Sequence, residues 1–244
     1  MLSQEETRRY SRHLVLKGFG GTAQQKLKAA RVLVIGAGGL GSPALAYLAA
    51  AGVGTLGIID HDEVGLSNLQ RQMVHTTNAV GTPKTESARA FINAINPNVI
   101  VEAHAVKLDA GNARLLTGVF DIVLDGTDNF ATRAVVAEAC ARGRKPLVSG
   151  AVSMYDGQVT VFVRGGPRFT DLYPEAPNED DLPSCEVNGV LGPVTGVIGT
   201  LMAMEAIKLI TEVGEPLIGR LALYDGRASR FTELSYARGP GGDD

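Results

Sequence analysis

The segment Gly36-Ala37-Gly38-Gly39-Leu40-Gly41 follows directly on the run Arg31-Val32-Leu33-Val34-Ile35. No other feature restricts the fold as strongly. A short, continuous β-branched run fits a strand buried on both faces. The glycines match GxGxxG: Gly36 permits the tight turn, Gly38 lets backbone approach a ligand, and Gly41 lets the next helix pack closely. Ser42 to Ala51 is alanine-rich and suits such a helix, and Thr55 to Asp60 reads as the next strand. Strand, turn, helix and strand make a βαβ unit, whose helix N-terminus offers N–H groups and a positive dipole end to phosphate. Asp60, 19 residues after Gly41, is placed to accept hydrogen bonds from ribose hydroxyls. ATP and NAD both bring a ribose and phosphates, so the fingerprint predicts a nucleotide site without naming the nucleotide.

Further strands are expected at 99–106, 121–126 and 146–152, with helices around 83–95 and 129–143. This alternation predicts an α/β fold with a Rossmann-like, doubly wound, mostly parallel sheet. After Gly150 the pattern changes. Gln158 to Val163, Leu221 to Tyr224 and Ser229 to Tyr236 read as shorter strands that extend the sheet in antiparallel fashion, and Gly196 to Ile210 as a buried helix. Residues 165–189, rich in Pro, Asp, Glu and Gly, read as a long mobile loop, and a loop this long inside a compact domain is usually functional or disordered. At the other end, 3–15 reads as an amphipathic helix opened by a Ser3/Glu6 capping box. Arg8, Arg9 and Arg12 share part of its surface, either as a solvated face or as a basic arm reaching an anionic ligand in a partner subunit. The expected organisation is one domain, 1–244: a helical arm (1–30), a nucleotide-binding region (31–150), a crossover loop (165–189), and a closing helix and strands (190–238).

Composition removes several alternatives. The 244 residues carry a net charge of −3, so no global basic field points to nucleic acid or an anionic membrane. The two cysteines, Cys140 and Cys185, form no CxxC pair, which excludes a disulfide framework and a cysteine-only zinc site. The polar N-terminus has no signal-peptide run. The longest apolar stretches are interrupted before about 18 residues, so no membrane span is expected. A soluble, cytoplasmic protein is expected. GxxxxGK[ST], HExxH and GxSxG are all absent, which removes the entry points to P-loop, metalloprotease and α/β-hydrolase chemistry.

The remaining polar segments narrow the ligand. Ser67-Asn68-Leu69-Gln70-Arg71-Gln72 is unusually polar for a second dehydrogenase crossover, and Gly81-Thr82-Pro83-Lys84 sets a lysine at a helix start with Pro83 in the first turn. A cation there opposes the helix dipole, and a polyphosphate would give it a purpose. Singly, Arg71 and Lys84 read as surface charges; with the glycine loop they read as phosphate ligands. Asp125-Gly126-Thr127-Asp128-Asn129 follows Ile122-Val123-Leu124 at the carboxyl end of a strand, where ligands bind in open α/β sheets. A carboxylate facing a polyphosphate calls for a cation between them, and Mg²⁺ suits; the alternative for Asp128 is capping the next helix. Cys185, in the polar loop, is either a nucleophile or an inert thiol, and Cys140 reads as a small core residue.

These motifs, in this order, resemble the MoeB/ThiF adenylyltransferases, relatives of the ubiquitin-activating enzymes. Arg9-Tyr10-Ser11-Arg12, Gly36 to Gly41, Ser67 to Gln72, Pro83-Lys84, Thr127-Asp128-Asn129 and Gly189 to Lys208 carry the resemblance over nearly the whole chain. It implies ATP-dependent adenylation of the C-terminal Gly-Gly carboxylate of a small ubiquitin-like sulfur-carrier protein. Gly39 and its loop would then contact ATP, Asp60 would hold the ribose, and Asn68 and Arg71, within the segment Ser67-Asn68-Leu69-Gln70-Arg71, would clamp the phosphates together with Lys84. Asp128 would bind Mg²⁺ with Asn129 beside it, Arg12 would cross into the partner subunit of a homodimer, and Cys185 would lie over the carrier's tail as a candidate for sulfur transfer. The implied sulfur donor is a cysteine desulfurase or a rhodanese. Many relatives carry two CxxC pairs holding structural zinc; here the corresponding stretches, Phe169 to Leu172 and Gly239 to Asp244, lack cysteine, so no structural zinc is expected. Gly192-Pro193-Val194 and Tyr224-Asp225-Gly226-Arg227 look closer to the thiamine branch than to the molybdopterin branch.

The mechanism so implied is attack of the carrier carboxylate on the α-phosphorus of ATP, with no general base required. Three rival readings stand beside it. An NAD-dependent oxidoreductase leaves Arg71, Lys84 and Asp128 without a joint role. Adenylation of a small molecule or a tRNA base keeps the site and changes the substrate. A non-catalytic module holding a ubiquitin-like partner sits poorly with the intact Arg71, Lys84 and Asp128.

Overall fold

The computed structural model describes residues 1–175 and 189–239. Its centre is β1 (Arg31–Ile35), four of whose five residues are buried. Alternation along β1 sends Val32 and Val34 into one apolar layer and Leu33 and Ile35 into the other, the two-faced burial that a parallel strand requires. β1 pairs in parallel with β2 (Thr55–Ile59) on one side and β4 (Ile122–Asp125) on the other. β3 (Ile100–His104) extends the sheet beyond β2, and β5 (Leu147–Ser153) beyond β4, both in parallel. Three antiparallel strands follow: β6 (Asp156–Phe162), β7 (Arg220–Asp225) and β8 (Arg230–Ser235). The order is β3-β2-β1-β4-β5-β6-β7-β8, a doubly wound half continued by a meander, as the sequence predicts.

The helices divide between the faces. α3 (Gly20–Ala29), α4 (Gly41–Ala51), α5 (Lys84–Ile95) and α9 (Gly192–Thr211) contribute Leu27, Leu45, Ile92 and Ile198 to one layer. α6 (Ala113–Gly118), α7 (Phe130–Gly143) and α8 (Phe169–Leu172) contribute Ala113, Val136 and Phe169 to the other.

Several expectations are corrected. The helix expected over 3–15 opens on the Ser3/Glu6 capping box but breaks into α1 (Gln4–Arg9) and α2 (Ser11–Leu14). Tyr10 causes the break. Its ring is buried against Gly52, and its hydroxyl accepts a 2.8 Å bond from Asn96 Nδ2. Arg9 is not free to reach outward, because its Nη1 donates to the Ile95 carbonyl at 2.8 Å. Pro83 caps α5 from outside rather than lying in its first turn, so Lys84 is the first helical residue. The stretch 165–175 is not all loop: α8 buries Phe169 against Phe130, Phe162 and Tyr173. α6 has no counterpart in the expected elements, and α3 lies within the arm expected over 1–30 but beyond the one helix, 3–15, placed there. Finally, α9 begins at Gly192 and, at 20 residues with a mean hydropathy of 1.5, is long and apolar enough for a membrane span. Here it packs on α4, β5 and β6, and its buried Glu205 pairs with Lys208 and accepts from Leu217 N–H.

Candidate functional site

The turn after β1 takes its shape from its glycines. Gly36 sits at φ +88°, a left-handed conformation that side chains resist, and its N–H donates to the Ile59 carbonyl at the end of β2. Gly41 opens α4 so close to that turn that a Cβ would lie 1.8 Å from the Gly36 carbonyl oxygen. Any side chain there would force α4 off the turn. Asp60, just past β2, accepts a 2.8 Å bond from Ala37 N–H through Oδ2 and a 2.9 Å bond from Asp62 N–H through Oδ1. It therefore braces the glycine loop, and the remaining lone pairs of its carboxylate stay available to a ribose.

At the carboxyl ends of β1, β2 and β4 lies an open cleft of about 150 Å³ lined by Gly36, Asp60, Lys84, Asp128 and Asn129 among others. Lys84 is buried, and its Nζ bonds Asp62 Oδ2 at 2.7 Å. Partial burial works to raise the Asp62 carboxyl; the Lys84 ammonium more than offsets this, so the net shift is downward. Asp62 and Lys107, which also lines the cleft, carry no motif that could have singled them out.

The turn after β4 is built on Asp125. It is fully buried, and its Oδ1 accepts from Thr127 N–H at 3.0 Å and Thr127 Oγ1 at 2.7 Å, while Oδ2 has no partner among the described residues. Burial pushes its carboxyl upward. Arg133 donates to the Thr127 carbonyl and fixes the same turn. Asn129, not Asp128, caps α7: its Oδ1 accepts from Thr132 N–H at 2.8 Å. Capping by Asp128 is thus ruled out, and its exposed carboxylate has no partner among the described residues. Asp60, His61 and Asp62 bring ligand atoms within 4.8 Å of one another nearby. Asp62 is tied to Lys84 and Asp60 to the glycine loop, so of the exposed or half-buried acids that line the cleft, Asp128 is the one without a partner among the described residues.

The structure does not bring every expected residue to the cleft wall. Ser67-Asn68-Leu69-Gln70-Arg71 runs beside the glycine loop, with the Gln70 carbonyl packed on Gly192 at the start of α9. Arg71 folds back, its Nη1 donating to the Ser67 carbonyl at 3.2 Å. Asn68 Oδ1 accepts from Gly65 N–H, leaving its Nδ2 available as a donor. Gly39 packs on Thr195 of α9, and Gly38 faces the Gln72 amide. Arg12 is exposed on α2 with no partner among the described residues. Cys185 lies outside the described residues. Cys140 is the buried core residue expected, its thiol pushed up to about 12 by burial.

One residue that braces the cleft's glycine loop escaped the sequence reading. His75 is buried with Nε2 2.9 Å from the Ala37 carbonyl and Nδ1 2.9 Å from Ser87 Oγ. A carbonyl only accepts, so Nε2 carries the proton and Nδ1 accepts from the serine hydroxyl. The ring joins the glycine loop to α5, one turn from Lys84. Burial pushes its pKa down, and the Lys84 charge adds to that.

The sequence pattern of the ThiF family matches residues 10–240. A Mycobacterium tuberculosis protein named probable adenylyltransferase/sulfurtransferase MoeZ is 48% identical over 98% of this chain and 62% of its own length, so the chain spans about six-tenths of that relative. The sulfur carrier protein adenylyltransferase of Thermus thermophilus is 44% identical over 98% of this chain and 90% of its own. Among solved structures, E. coli MccB with ATP superposes with a TM-score of 0.86, covering 98% of this chain and 73% of that one. At 24% identity that likeness is one of fold.

Proposed function

The chain belongs to the ThiF family, and on that premise we propose that it uses ATP to adenylate the C-terminal carboxylate of a small ubiquitin-like sulfur-carrier protein. One observation carries the reading: the glycine loop, Asp60, the buried Lys84 and the unpaired Asp128 converge on one cleft at the carboxyl ends of the parallel strands. The relative named for a sulfur carrier supports the substrate class. In this reading a carrier carboxylate oxygen attacks the α-phosphorus of ATP, the bond to the β-phosphate bridging oxygen breaks, and pyrophosphate leaves with that electron pair. The nucleophile is already an anion, so no base is needed. The glycine-loop N–H groups and Lys84 are preorganised for the charge that develops on the phosphate oxygens. Asp128 fits Mg²⁺ because its carboxylate is exposed, without a partner among the described residues, and on the wall of the cleft; the ion would neutralise phosphate charge there. Carrier-dependent exchange of labelled pyrophosphate into ATP tests the proposal, run with thiamine-type and molybdopterin-type carriers in parallel. Calorimetry should show Mg-ATP binding well ahead of NAD. Tight NAD binding without exchange would replace this reading with an oxidoreductase.

A homodimer is part of the proposal. Arg12 has no partner among the described residues, and Val15 and Leu16, three and four residues on, are 77% and 53% exposed, a patch suited to a neighbouring subunit. Mixing Arg12→Ala with Arg71→Ala chains should restore part of the exchange activity, because each heterodimer holds one site with both arginines. Confirmed heterodimers no more active than either variant would remove the shared site. The sulfur donor, a desulfurase or rhodanese, belongs to the same proposal.

We also propose that the chain needs no structural zinc. The two cysteine-free stretches meet through Asp171, whose Oδ2 accepts from Arg168 N–H at 2.7 Å and whose Oδ1 accepts from Gly239 N–H at 3.1 Å. Metal analysis of the purified protein should find well under one zinc per chain, with melting unchanged by chelators. One tightly held zinc per chain would overturn this.

A further inference from the structure

A second cavity, larger than the nucleotide cleft, lies apart from it. It is a groove of about 460 Å³ at the other end of α7, lined by the end of that helix, the start of β5, the segment after β6, and Arg238. α7 has 14 residues, so the two sites lie about 21 Å apart along its axis at 1.5 Å per residue. The volume falls in the range of small-molecule sites.

Its charge is one-sided. Arg142, Arg144, Lys145, Arg164, Arg168 and Arg238 line it, against one acid, Glu138, which already pairs with Arg142. This occurs in a chain with 23 basic and 26 acidic residues. Arg168 is held by Asp171, but Arg144, Lys145 and Arg164 have no ion-pair partner among the described residues. The helix dipole accounts for a cation in the last turn of α7, not for arginines arriving from the segment after β6. Arg144 also stands at φ +55°, a C-cap position that favours glycine, so a cation is kept where backbone preference opposes it. Beneath the charges the groove has an apolar floor, including Cys140, Leu147 and Phe162.

We propose that this groove binds a small organic phosphate, with its apolar body on the Leu147–Phe162 floor and its phosphate held by Arg144, Lys145 and Arg164. Guanidinium and ammonium groups converging from separate segments suit a phosphate's several acceptor oxygens, and the floor distinguishes the ligand from a bare anion.

Pyridoxal 5′-phosphate is a suitable probe, combining a ring, a phosphate and an aldehyde. The aldehyde condenses with a lysine Nζ, losing water, and borohydride reduces the imine to a stable amine. The intact protein is labelled under saturating Mg-ATP and the modified lysines mapped by mass spectrometry. Lys145 should react at least about tenfold faster than the exposed Lys17, and in an Arg144→Gly/Arg164→Gln chain it should slow by about tenfold, the effect of losing a charge-assisted contact. Glycine suits φ +55°, so the variant should melt no lower than the parent. Pyridoxal without its phosphate should label Lys145 no faster than Lys17. The proposal fails if Lys145 reacts at the rate of Lys17, if the variant labels as fast as the parent, or if pyridoxal labels as well as its phosphate.

Discussion

Asp128→Ala is expected to lower carrier-dependent pyrophosphate exchange by roughly 10²-fold or more, the scale of losing one preorganised electrostatic contact. The fold should not suffer. The carboxylate is exposed and unpaired among the described residues, and Asn129, not Asp128, caps α7, so alanine leaves no buried group without a partner. Melting curves and exchange rates measured on the same preparation separate the two effects. Cys185→Ser is the companion experiment: it should leave exchange nearly intact and impair only a later transfer of sulfur to the activated carrier carboxylate, if the enzyme uses one. Full exchange in Asp128→Ala would remove this residue from the phosphate site. Loss of exchange in Cys185→Ser would bring the thiol into it.

His75→Leu should produce the largest change in stability. It leaves the Ala37 carbonyl and the Ser87 hydroxyl without the partner they share in a dry interior. At about 1–3 kcal/mol for each unsatisfied group, a fall in melting temperature of roughly 5–15 °C is expected. ATP affinity should fall with it, because Ala37 belongs to the glycine loop. His75→Gln can donate and accept across the same gap and should recover part of both. The pH dependence gives a second reading. The folded-state pKa of His75 lies below its ordinary value, so the unfolded chain binds the proton more readily. The neutral ring's contribution is therefore complete above about pH 6.5 and declines as pH falls towards the lowered folded value. His75→Gln should flatten that part of the stability profile. An unchanged acid limb would show that another group sets it.

The parts of the fold legible in the sequence are those written locally. A β-branched run, six residues of glycine turn and an alanine-rich helix need no distant partner to be recognised, and β1, α4 and β2 stand within a residue or so of expectation. α3 was hidden because it opens with two glycines and turns a polar residue inward: Gln24 is fully buried, with bonds to His13 and to the Ala51 carbonyl. Tyr10 breaks the arm through contacts with Gly52 and Asn96, which no helical period near residue 10 announces. Asp60, Lys84 and Asp128, which line the cleft, could be singled out because each sits at a strand or helix end. His75 could not, since Ala37 and Ser87 become its neighbours only once α5 is folded onto the sheet. The cap on α7 was within reach: asparagine is as good an N-cap as aspartate, and Asn129 stands directly before the helix. The arginines of the groove are scattered along the chain, so their charge forms a patch only in three dimensions.

The ion pair between Lys84 and Asp62 changes what ligand affinity measures in this cleft. Its ammonium already has an anion of the protein's own, so under the proposed function an arriving nucleotide would be scored by exchange rather than by simple addition. Only the surplus over one carboxylate appears as binding free energy. A ligand offering a weakly charged or poorly placed oxygen gains little from the swap, whereas a polyphosphate with several oxygens in range gains on each. Under the proposed function the cleft would discriminate by charge density before any base or sugar is read, and the less charged acyl-adenylate left after pyrophosphate departs would meet a competitor for the lysine.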